Sequence, residues 1–447
     1  MRDMDNSIDE TILARNRQKI AFTRSKRELR RIKSSVSFRI GVHLTTSIRK
    51  PWMLLLLPFT FPLLIFRMGL ERLGRVEHPV ADDEESSISP RNSVVLFPTN
   101  GVGFGHFTRL YSVAKRLRRD DPDLEIVIFT TMPTLHLPYT DGFVTYHLAG
   151  RHKNSQMEAS TWNTLVDEML SLVIEIHKPK EFIFDGAYPY RGMLNSIAGK
   201  KWLRKTWVRR GTFRKGSRIP VDSIQHFDLI IHPQDVVEIA QNDLEHEVDV
   251  LMVPPITLID KAEMWDGSKV KRRFGIPLDS RVAYVQLGAG RINDIDSEIS
   301  YVISALLEQE NLYVVLGESM LGDRLDIDLD RVHVLRDYPN SIYLNGFDFS
   351  IQAGGYNSFH EMRKMAIPTL FLPNLNTGMD DQVTRCENAV SEGWGLVNLN
   401  RSREGIKQDI SSLLSLDCSE LDQDVGENGA DVISAHLLAS KTIEVSP

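Results

Sequence analysis

Cysteine is scarce in this chain, and its scarcity excludes two classes of protein. Only two cysteines, Cys386 and Cys418, occur among 447 residues. They do not form a CxxC metal or redox motif, and they are too few for a disulfide framework. A reducing, cytosolic setting is therefore expected.

The sequence also lacks a long uninterrupted apolar run. Its most apolar stretch, PWMLLLLPFTFPLLIF from Pro51 to Phe66, is about 16 residues long and contains three prolines, whereas a spanning helix needs about 20 apolar residues. Pro58 and Pro62 are expected to interrupt a helix in lipid. The stretch begins about fifty residues into the chain and is followed by no small-residue cleavage pattern, so a signal peptide is not expected.

Charge is distributed unevenly. Residues 1–75 contain 16 Lys and Arg against 6 Asp and Glu, and the remainder contains 37 against 54. Residues 8–35 read as a basic amphipathic helix. We expect residues 8–75 to bind an anionic membrane surface, with Trp52 and the phenylalanines dipping into the interface. A helical hairpin packed on the protein's own surface is the alternative. Nucleic-acid binding is not expected, because no aromatic-interleaved basic patch or known motif is present.

From Val94 onward, short β-branched runs alternate with helical stretches, which is typical of parallel sheets covered by helices. The predicted strands are Val94–Phe97, Ile126–Thr130, Val144–Leu148, Phe182–Phe184, Trp207–Arg209, Leu229–Ile231, Val250–Val253, Val282–Leu287, Tyr313–Leu316, Val332–Leu335, Phe349–Gln352 and Thr369–Leu372. The stretch PPITLIDKAEMW interrupts the alternation at Pro254. We therefore predict an extension and linker over residues 1–92, and two Rossmann-like doubly wound α/β domains over 93–256 and 257–447 that face a cleft, the second with a C-terminal helical tail.

A glycine-rich loop, NGVGFGHFTRL from Asn100 to Leu110, follows the first predicted strand. A dinucleotide-binding loop would have the spacing GxGxxG and an acidic residue at the end of the second strand, and neither is present. The loop instead places His106 at a helix start, where the helix N-terminus lowers the basicity of the imidazole. His106 is therefore a candidate general base for a hydroxyl proton. A histidine that only caps or packs this helix is the alternative.

The stretch from Ile351 to Ala389 has the highest density of candidate binding groups. It predicts a strand, a Gly354-Gly355 turn, a helix, a second strand, a polar loop and another helix. Free N–H groups at the start of the first helix can bind a diphosphate. Glu361, about one turn into that helix, can accept both hydroxyls of a ribose. The polar loop brings further acceptors for sugar hydroxyls to the same side: Asp380, Asp381 and Gln382.

This block resembles the GT-B family of nucleotide-sugar glycosyltransferases and, within it, the MurG-like group typified by the lipid-I N-acetylglucosaminyltransferase. A glycine pair, a helix with Glu361 and a following Asp-Gln occur in that family's order. The resemblance covers about Val94 to Leu414. It implies a GT-B fold and a UDP-sugar as donor substrate.

The resemblance assigns roles to individual residues. Glu361 would bind the donor ribose, and Asp381 and Gln382 would contact the transferred sugar, with Asp380 beside them. The other implied donor contacts are Gly288, Gly290 and Arg291 of QLGAGR, Tyr338 of LRDYPN beside uracil, and Gly354, Gly355 and Ser358 at the diphosphate. His106 would be the catalytic base.

The acceptor side is less constrained, because the N-terminal loop is longer than that of MurG and has phenylalanines beside the histidine. Gly103 and Gly105 of this loop are acceptor-side candidates. The segment FDGAYPYRGML begins at a strand's carboxyl end, so Asp185, Tyr188 and Arg191 are candidates as well. Packing or turn formation is the alternative for this segment.

No metal or other cofactor is expected. Two Asp-x-Asp patterns are present, in Asp326–Asp330 and from Asp294 to Asp296. The first is predicted to lie in a surface loop before the Val332 strand, and the second in a loop after the glycine turn. GT-B enzymes instead neutralise the leaving diphosphate with helix N-termini and basic side chains, a preorganised electrostatic stabilisation.

The sequence thus predicts a metal-independent, UDP-sugar-dependent hexosyl or N-acetylhexosaminyl transferase. It would act in the cytoplasm, peripherally at the inner face of the cell membrane, on a lipid-linked or polysaccharide acceptor. A UDP-sugar 2-epimerase of the same architecture is the enzymatic alternative. The non-enzymatic alternative is a scaffold protein at the membrane that binds a nucleotide sugar without catalysis.

Overall fold

The computed structural model describes residues 29, 32–33, 35–72, 89–99, 103–151, 157–212, 223–239, 247–288, 295–319, 327–377, 380–416, 418 and 426–439. The chain divides into two compact units. The smaller comprises Met1–Ile88 and Ile197–Trp202, and the larger comprises Ser89–Ser196 and Leu203–Pro447.

Two antiparallel helices, α1 (Val36–Arg49) and α2 (Pro51–Arg72), form a hairpin in the smaller unit. The side chain of Ser35 caps α1 by accepting a hydrogen bond from the Phe38 N–H at 3.2 Å. The expectation that the prolines break the apolar stretch is wrong, since α2 continues through both of them. Each proline removes a single backbone hydrogen bond, and the neighbouring bonds hold the helix. By length and composition, Trp52–Glu71 could cross a membrane.

Most of the predicted basic helix over 8–35 and most of the predicted linker lie outside the described residues. Arg91 and Asn92, the last residues of the predicted extension and linker, already belong to a strand.

The larger unit contains two sheets in which every strand pairing is parallel. The first sheet has the order β3-β2-β1-β4-β5-β6-β7, and the second has the order β10-β9-β8-β11-β12-β13. The strands are β1 (Arg91–Pro98), β2 (Glu125–Thr130), β3 (Val144–His147), β4 (Pro179–Asp185), β5 (Arg204–Val208), β6 (Leu229–Pro233), β7 (Asp249–Val253), β8 (Arg281–Gln286), β9 (Leu312–Gly317), β10 (Val332–Leu335), β11 (Phe349–Gln352), β12 (Thr369–Phe371) and β13 (Gly395–Val397).

Helices connect these strands. They are α3 (Gly105–Asp120), α4 (His136–Thr140), α5 (Ala159–His177), α6 (Arg191–Ile197), α7 (Gly267–Arg273), α8 (Ile295–Leu307), α9 (Tyr356–Lys364), α10 (Gln382–Ser391), α11 (Arg403–Leu414) and α12 (Gly429–Ala439), with 3-10 helices at Ile224–His226, Lys261–Glu263 and Asn340–Gly346. The predicted pair of doubly wound α/β sheets is confirmed. In each sheet the strand order reverses next to the first strand, between β1 and β4 and between β8 and β11. Ligands of such sheets bind at the carboxyl ends beside this point.

The last helix, α12, packs against the first sheet although it follows the second in the chain. Ala430, Ile433 and Leu437 are buried in the same cluster as the β1 and α3 side chains. Asn428, just before α12, donates hydrogen bonds to the carbonyl and the hydroxyl oxygens of Thr257, both at 2.9 Å. The C-terminal helix α12 therefore completes the core around the first sheet. The domain division at residue 256 stays a prediction.

Candidate functional site

The helix after β1 brings a histidine to a buried aspartate. His106 is the second residue of α3, and Asp185 is the last residue of β4, the strand that pairs with β1. Nδ1 of His106 lies 2.6 Å from Oδ1 of Asp185, whose side chain is fully buried, while the imidazole is 21% exposed. With the proton on Nδ1, this hydrogen bond is made and Nε2 is the nitrogen that can take a proton. In the other tautomer, Nδ1 accepts from Nη2 of Arg109, which lies 2.8 Å away. The pair has the arrangement of a general base oriented by a carboxylate.

The electrostatic surroundings favour the charge states that such a pair needs. Burial lowers the pKa of His106, and the charges of Arg109 and Arg210 lower it further, against the opposing effect of Asp185. Burial acts to raise the pKa of Asp185, but Arg109 and His106 hold the pKa of this carboxyl below its usual range. The imidazole is therefore neutral and the carboxyl ionised at neutral pH.

Arg109 connects this pair to the second half of the larger unit. Its Nε donates to Oδ2 of Asp185 at 2.9 Å, and its Nη2 donates to Oδ1 at 2.6 Å. The guanidinium also lies 5.4 Å from the centre of the Tyr356 ring. Tyr356 is the first residue of α9. The Arg109 side chain therefore connects the His106–Asp185 pair to the N-terminus of that helix.

A network of charged side chains joins the two halves beside Tyr356. Arg385 is fully buried and donates to both carboxylate oxygens of Asp235, with a shortest distance of 2.7 Å. Its Nη2 lies 2.9 Å from Oδ1 of Asp380, and Nη1 of Arg210 lies 3.0 Å from the same oxygen. Burial acts to raise the pKa of Asp380, but the two arginines hold that pKa well below its usual range. Arg210 and Asp235 follow strands of the first sheet, so these ion pairs cross between the halves.

The start of α9 offers backbone N–H groups. Gly355 precedes the helix without a side-chain cap, and the first intrahelical bond runs from the Phe359 N–H to the Gly355 carbonyl at 2.9 Å. The preceding N–H groups have no carbonyl within the helix, as at any helix start. A Cβ on Gly355 would meet no atom within 4 Å, whereas one on Gly354, which has a φ of +79°, would lie 2.3 Å from Sγ of Cys386. Gly354 is thus required by packing, and Gly355 faces open space beside free donors.

Glu361 lies one turn further along α9. Burial raises the pKa of this carboxyl to about 7, against the opposing effect of a hydrogen bond from Ser341. At the carboxyl end of β11, Gln352 is fully buried, and its amide nitrogen and oxygen have no hydrogen-bond partner among the described residues. Its neighbour across the sheet is Gln286 of β8. The carboxyl ends of β8 and β11 and the first turns of α9 therefore hold polar groups that a ligand can bind.

Tyr338 lies at the contact between the halves. Its hydroxyl is 2.9 Å from Oγ1 of Thr108, and its ring centre is 5.4 Å from that of Phe104. It borders a cavity of about 410 Å³, within the range of small-ligand sites. The residues lining the cavity are His136, Leu137, Arg336, Asp337, Tyr338, Pro339, Ile342 and Tyr343. The size and the aromatic wall suit a nucleobase.

The polar loop before α10 is held by its own contacts. Asp381 caps α10 by accepting hydrogen bonds from the N–H and the hydroxyl of Thr384, at 3.1 and 3.0 Å. Gln382 accepts from the Asn374 N–H at 2.9 Å and donates to Asp380 at 3.2 Å. Asp380 is in addition ion-paired with two arginines. Sugar contacts by these side chains stay a prediction, and each of them also stabilises the loop.

The other predicted site residues are distributed as follows. Gly288, with a φ of +96°, follows β8 and has open space at its Cβ position, as Gly103 does. Gly105 begins α3, and Ser358 lies partly exposed in the first turn of α9. On the acceptor side, Tyr188 is 51% exposed and Arg191 begins α6. Gly290 and Arg291 lie outside the described residues, as do Asp294 and Asp326. Among the described residues, no group of three or more His, Cys, Asp or Glu side chains could hold a metal ion.

Sequence reasoning missed Arg109, Arg210, Asp235 and Arg385. Only Arg109 carried a signal, since a residue three positions after His106 lies on the same side of a helix. Asp235 and Arg385 are about 150 residues apart and follow different sheets, so no local pattern relates them.

Comparison with known proteins gives the fold. No family model matches the sequence, and no curated protein does. Among solved structures, the spinosyn forosaminyltransferase SpnP covers 78% of this chain and 99% of its own, at 12% identity and a TM-score of 0.57. The spinosyn rhamnosyltransferase SpnG complexed with thymidine diphosphate covers 78% and 99%, at 15% identity and 0.51. The UDP-GlcNAc 2-epimerase from Methanocaldococcus jannaschii covers 78% and 99%, at 12% identity and 0.52. The chain has the GT-B fold that these enzymes share.

Proposed function

We propose that this GT-B protein is a membrane-associated glycosyltransferase of the MurG-like type. It would transfer a hexose or N-acetylhexosamine from a UDP-sugar to a hydroxyl of a lipid-linked or polysaccharide acceptor, at the inner face of the cell membrane. The observation that carries the proposal is the His106–Asp185 pair, which Arg109 connects to the N-terminus of α9. A base and an anion-binding helix end at the same cleft suit the transfer of a group from a diphosphate to a hydroxyl.

In this proposal His106 acts first. Nε2 takes the proton of the acceptor hydroxyl while its oxygen forms a bond to the anomeric carbon of the donor sugar. The bond between that carbon and the diphosphate oxygen breaks, and UDP leaves with the electron pair. Asp185 holds the ring in position and stabilises the imidazolium that forms.

The leaving diphosphate would lie at the start of α9, between Gly355 and Gly288. The free N–H groups there and the helix dipole stabilise the developing charge without reorganisation. The guanidinium of Arg210 lies 5.5 Å from the centre of the Tyr356 ring, and it adds positive charge from the first half. Glu361 would accept both ribose hydroxyls, and Tyr338 would contact uracil in the cavity that it borders.

A UDP-sugar 2-epimerase is the second candidate, because enzymes of that type share this fold at similar TM-scores. An epimerase changes its sugar nucleotide without an acceptor, whereas a transferase releases UDP only when an acceptor hydroxyl is present, apart from slow hydrolysis. Incubation with UDP-GlcNAc alone, followed by chromatography of the sugar nucleotides, separates the two. Conversion to the 2-epimer without acceptor would favour the epimerase. Binding without turnover over a broad acceptor panel would favour the scaffold.

A thermal-shift screen with UDP, several UDP-sugars, GDP, dTDP and NAD tests the donor class. A ligand at about 100 times its dissociation constant stabilises the folded protein by about 2.7 kcal/mol, which raises the melting temperature measurably. We expect a shift with uridine nucleotides that disappears in Glu361→Ala. A shift with dTDP alone would indicate a thymidine nucleotide as the donor. A shift with uridine nucleotides in Glu361→Ala that equals the shift of the original protein would contradict the assignment of Glu361 to the ribose.

Gly355→Val tests the diphosphate position independently. The added side chain has space in the ligand-free protein and the backbone is extended at φ −65° and ψ 153°, so the melting temperature should change by only a few degrees. The side chain would occupy the place assigned to the diphosphate, and we expect UDP binding to weaken at least about tenfold, measured by calorimetry. Gly41→Val, within α1, is the control for replacing glycine by valine, because a Cβ there also meets no atom within 4 Å and the backbone is helical. Unchanged UDP affinity in Gly355→Val would place the diphosphate elsewhere.

A further inference from the structure

The α1–α2 hairpin turns its polar groups inward. Arg39 donates from Nη2 to Oε1 of Glu71 at 3.1 Å, and its Nη1 contacts the other oxygen of the same carboxylate. The Glu71 side chain is only 3% exposed. Further toward the tip, Nε2 of His43 lies 3.1 Å from Oγ1 of Thr60. Both contacts join one helix to the other, so polar side chains hold the hairpin together.

The apolar side chains of the hairpin point the other way. Those exposed by more than 60% are Ile48, Trp52, Leu55, Phe59, Leu63 and Phe66. The last five recur every three or four residues and therefore form one stripe along α2. The segment from Trp52 to Glu71 has a mean hydropathy of 1.9 in its most apolar window, and its five stripe residues are each more than 60% exposed. A hairpin in water has the opposite distribution, with apolar groups inside and charges outside.

Helices in lipid show the distribution seen here. Hydrocarbon solvates the outward apolar side chains, and polar groups avoid it by bonding across the helix pair. An Arg–Glu pair between helices removes two charges from contact with lipid, and the His–Thr contact does the same for two polar groups.

The charges at the ends of the stripe indicate the type of lipid. Arg49 and Lys50 form the exposed turn between the helices, and Arg67 lies exposed at the other end of the stripe. No charged residue lies between Lys50 and Arg67. Cations at both ends suit anionic headgroups, and they would repel the like charges of a second hairpin stacked end to end.

We infer that the α1–α2 hairpin inserts into an anionic bilayer, with the Trp52–Phe66 stripe in the hydrocarbon and the Arg39–Glu71 and His43–Thr60 contacts holding the helices together. This goes beyond a basic segment lying on a membrane surface, because it assigns an inserted face and internal polar contacts. It does not rest on the proposed chemistry, so a failed transferase assay leaves it intact.

Flotation of the full-length protein with lipid vesicles tests the inference. We expect flotation with phosphatidylcholine vesicles containing about 30% phosphatidylglycerol, retained in about 0.5 M salt, and less flotation with phosphatidylcholine alone. The double variant Leu55→Glu/Leu63→Glu should lose it. Leu278→Glu is the matched control, since Leu278 is 57% exposed in the loop before β8, and it should float like the original protein.

Tryptophan quenching locates the stripe. Lipids brominated on the acyl chain should quench the emission of the original protein more than that of Trp52→Phe. Loss of flotation in salt, or equal quenching in both proteins, would contradict insertion. If the double variant changed only the oligomeric state and not the flotation, the stripe would be an interface between copies and the inference would be wrong.

Discussion

Replacing His106 by glutamine is expected to lower the rate of sugar transfer by about two to four orders of magnitude, the usual contribution of a general base. Glutamine can still donate a hydrogen bond to Asp185, so the buried carboxylate keeps a partner. It has no nitrogen that can take the acceptor proton. UDP affinity should stay within about twofold of the original, because the donor groups lie on α9 and around β8. Steady-state kinetics and calorimetry with UDP measure the two effects separately.

The matched control is His436→Gln. His436 lies on α12 and contacts Arg204 at the amino end of β5, so it is at the opposite edge of the first sheet from the candidate site. We expect near-normal transfer in this variant. A parallel loss of transfer and UDP affinity in His106→Gln would indicate that His106 maintains the cleft and is not the base.

The second large effect concerns Glu361 and pH. With a pKa of about 7 in the ligand-free protein, this carboxyl is mostly protonated at pH 6 and mostly ionised at pH 8. Only the ionised form accepts hydrogen bonds from both ribose hydroxyls. The affinity for a UDP-sugar should therefore rise up to about tenfold over this interval, because affinity scales with the competent fraction. A UDP-sugar is the right probe, since its esterified diphosphate keeps a constant charge. Calorimetry at the two pH values measures the change.

Glu361→Gln is the control for other titrating groups. It keeps the shape of the side chain but cannot ionise, so its affinity should be lower by about two orders of magnitude at pH 8, as expected for the loss of two charge-assisted hydrogen bonds. Its affinity should also be nearly independent of pH. An equally steep pH dependence in the variant would assign the effect to another group.

The same pKa has a consequence for stability without ligand. The folded protein holds a proton on Glu361 that the unfolded chain, with a pKa near 4.5, has released. Stability should therefore fall as pH rises from about 4.5 to 7, and the full penalty remains above 7. Ligand-free Glu361→Gln should accordingly melt at a higher temperature than the original protein at pH 8. A lower melting temperature would mean that the carboxylate has a favourable partner in the fold.

Most of the sheet architecture could be predicted from the sequence, because buried parallel strands are short, apolar and β-branched. Each of the twelve predicted strands overlaps an observed one. The strand that was missed, β13, consists only of Gly395, Leu396 and Val397, too short for a periodicity. The proline prediction failed for a different reason. Pro58 and Pro62 lie in a continuous helix because the apolar residues around them keep their own backbone hydrogen bonds.

The candidate site was predictable only where it follows local rules. The local patterns put His106 at a helix start, Gly355 before a helix and Asp185 at a strand end, as the structure has them, and Glu361 within that helix. The roles of these residues stay predictions. The contacts across the halves follow from tertiary packing alone. Arg385 reaches Asp235 because the two halves meet there, and the pairing of Asp380 with Arg210 depends on the same contact.

The position of α12 fixes an order of events during synthesis. The ribosome makes the first sheet early, but Ala430, Ile433 and Leu437 are made only after the second sheet. Until they arrive, the apolar surface of α3 that they cover is open to water. The nascent first half is thus the part that a chaperone would need to protect, while the second sheet can close beforehand. For the same reason, a stop codon shortly before Asn428 would remove α12 and so expose the core of the first half, which lies far from the truncation in the sequence.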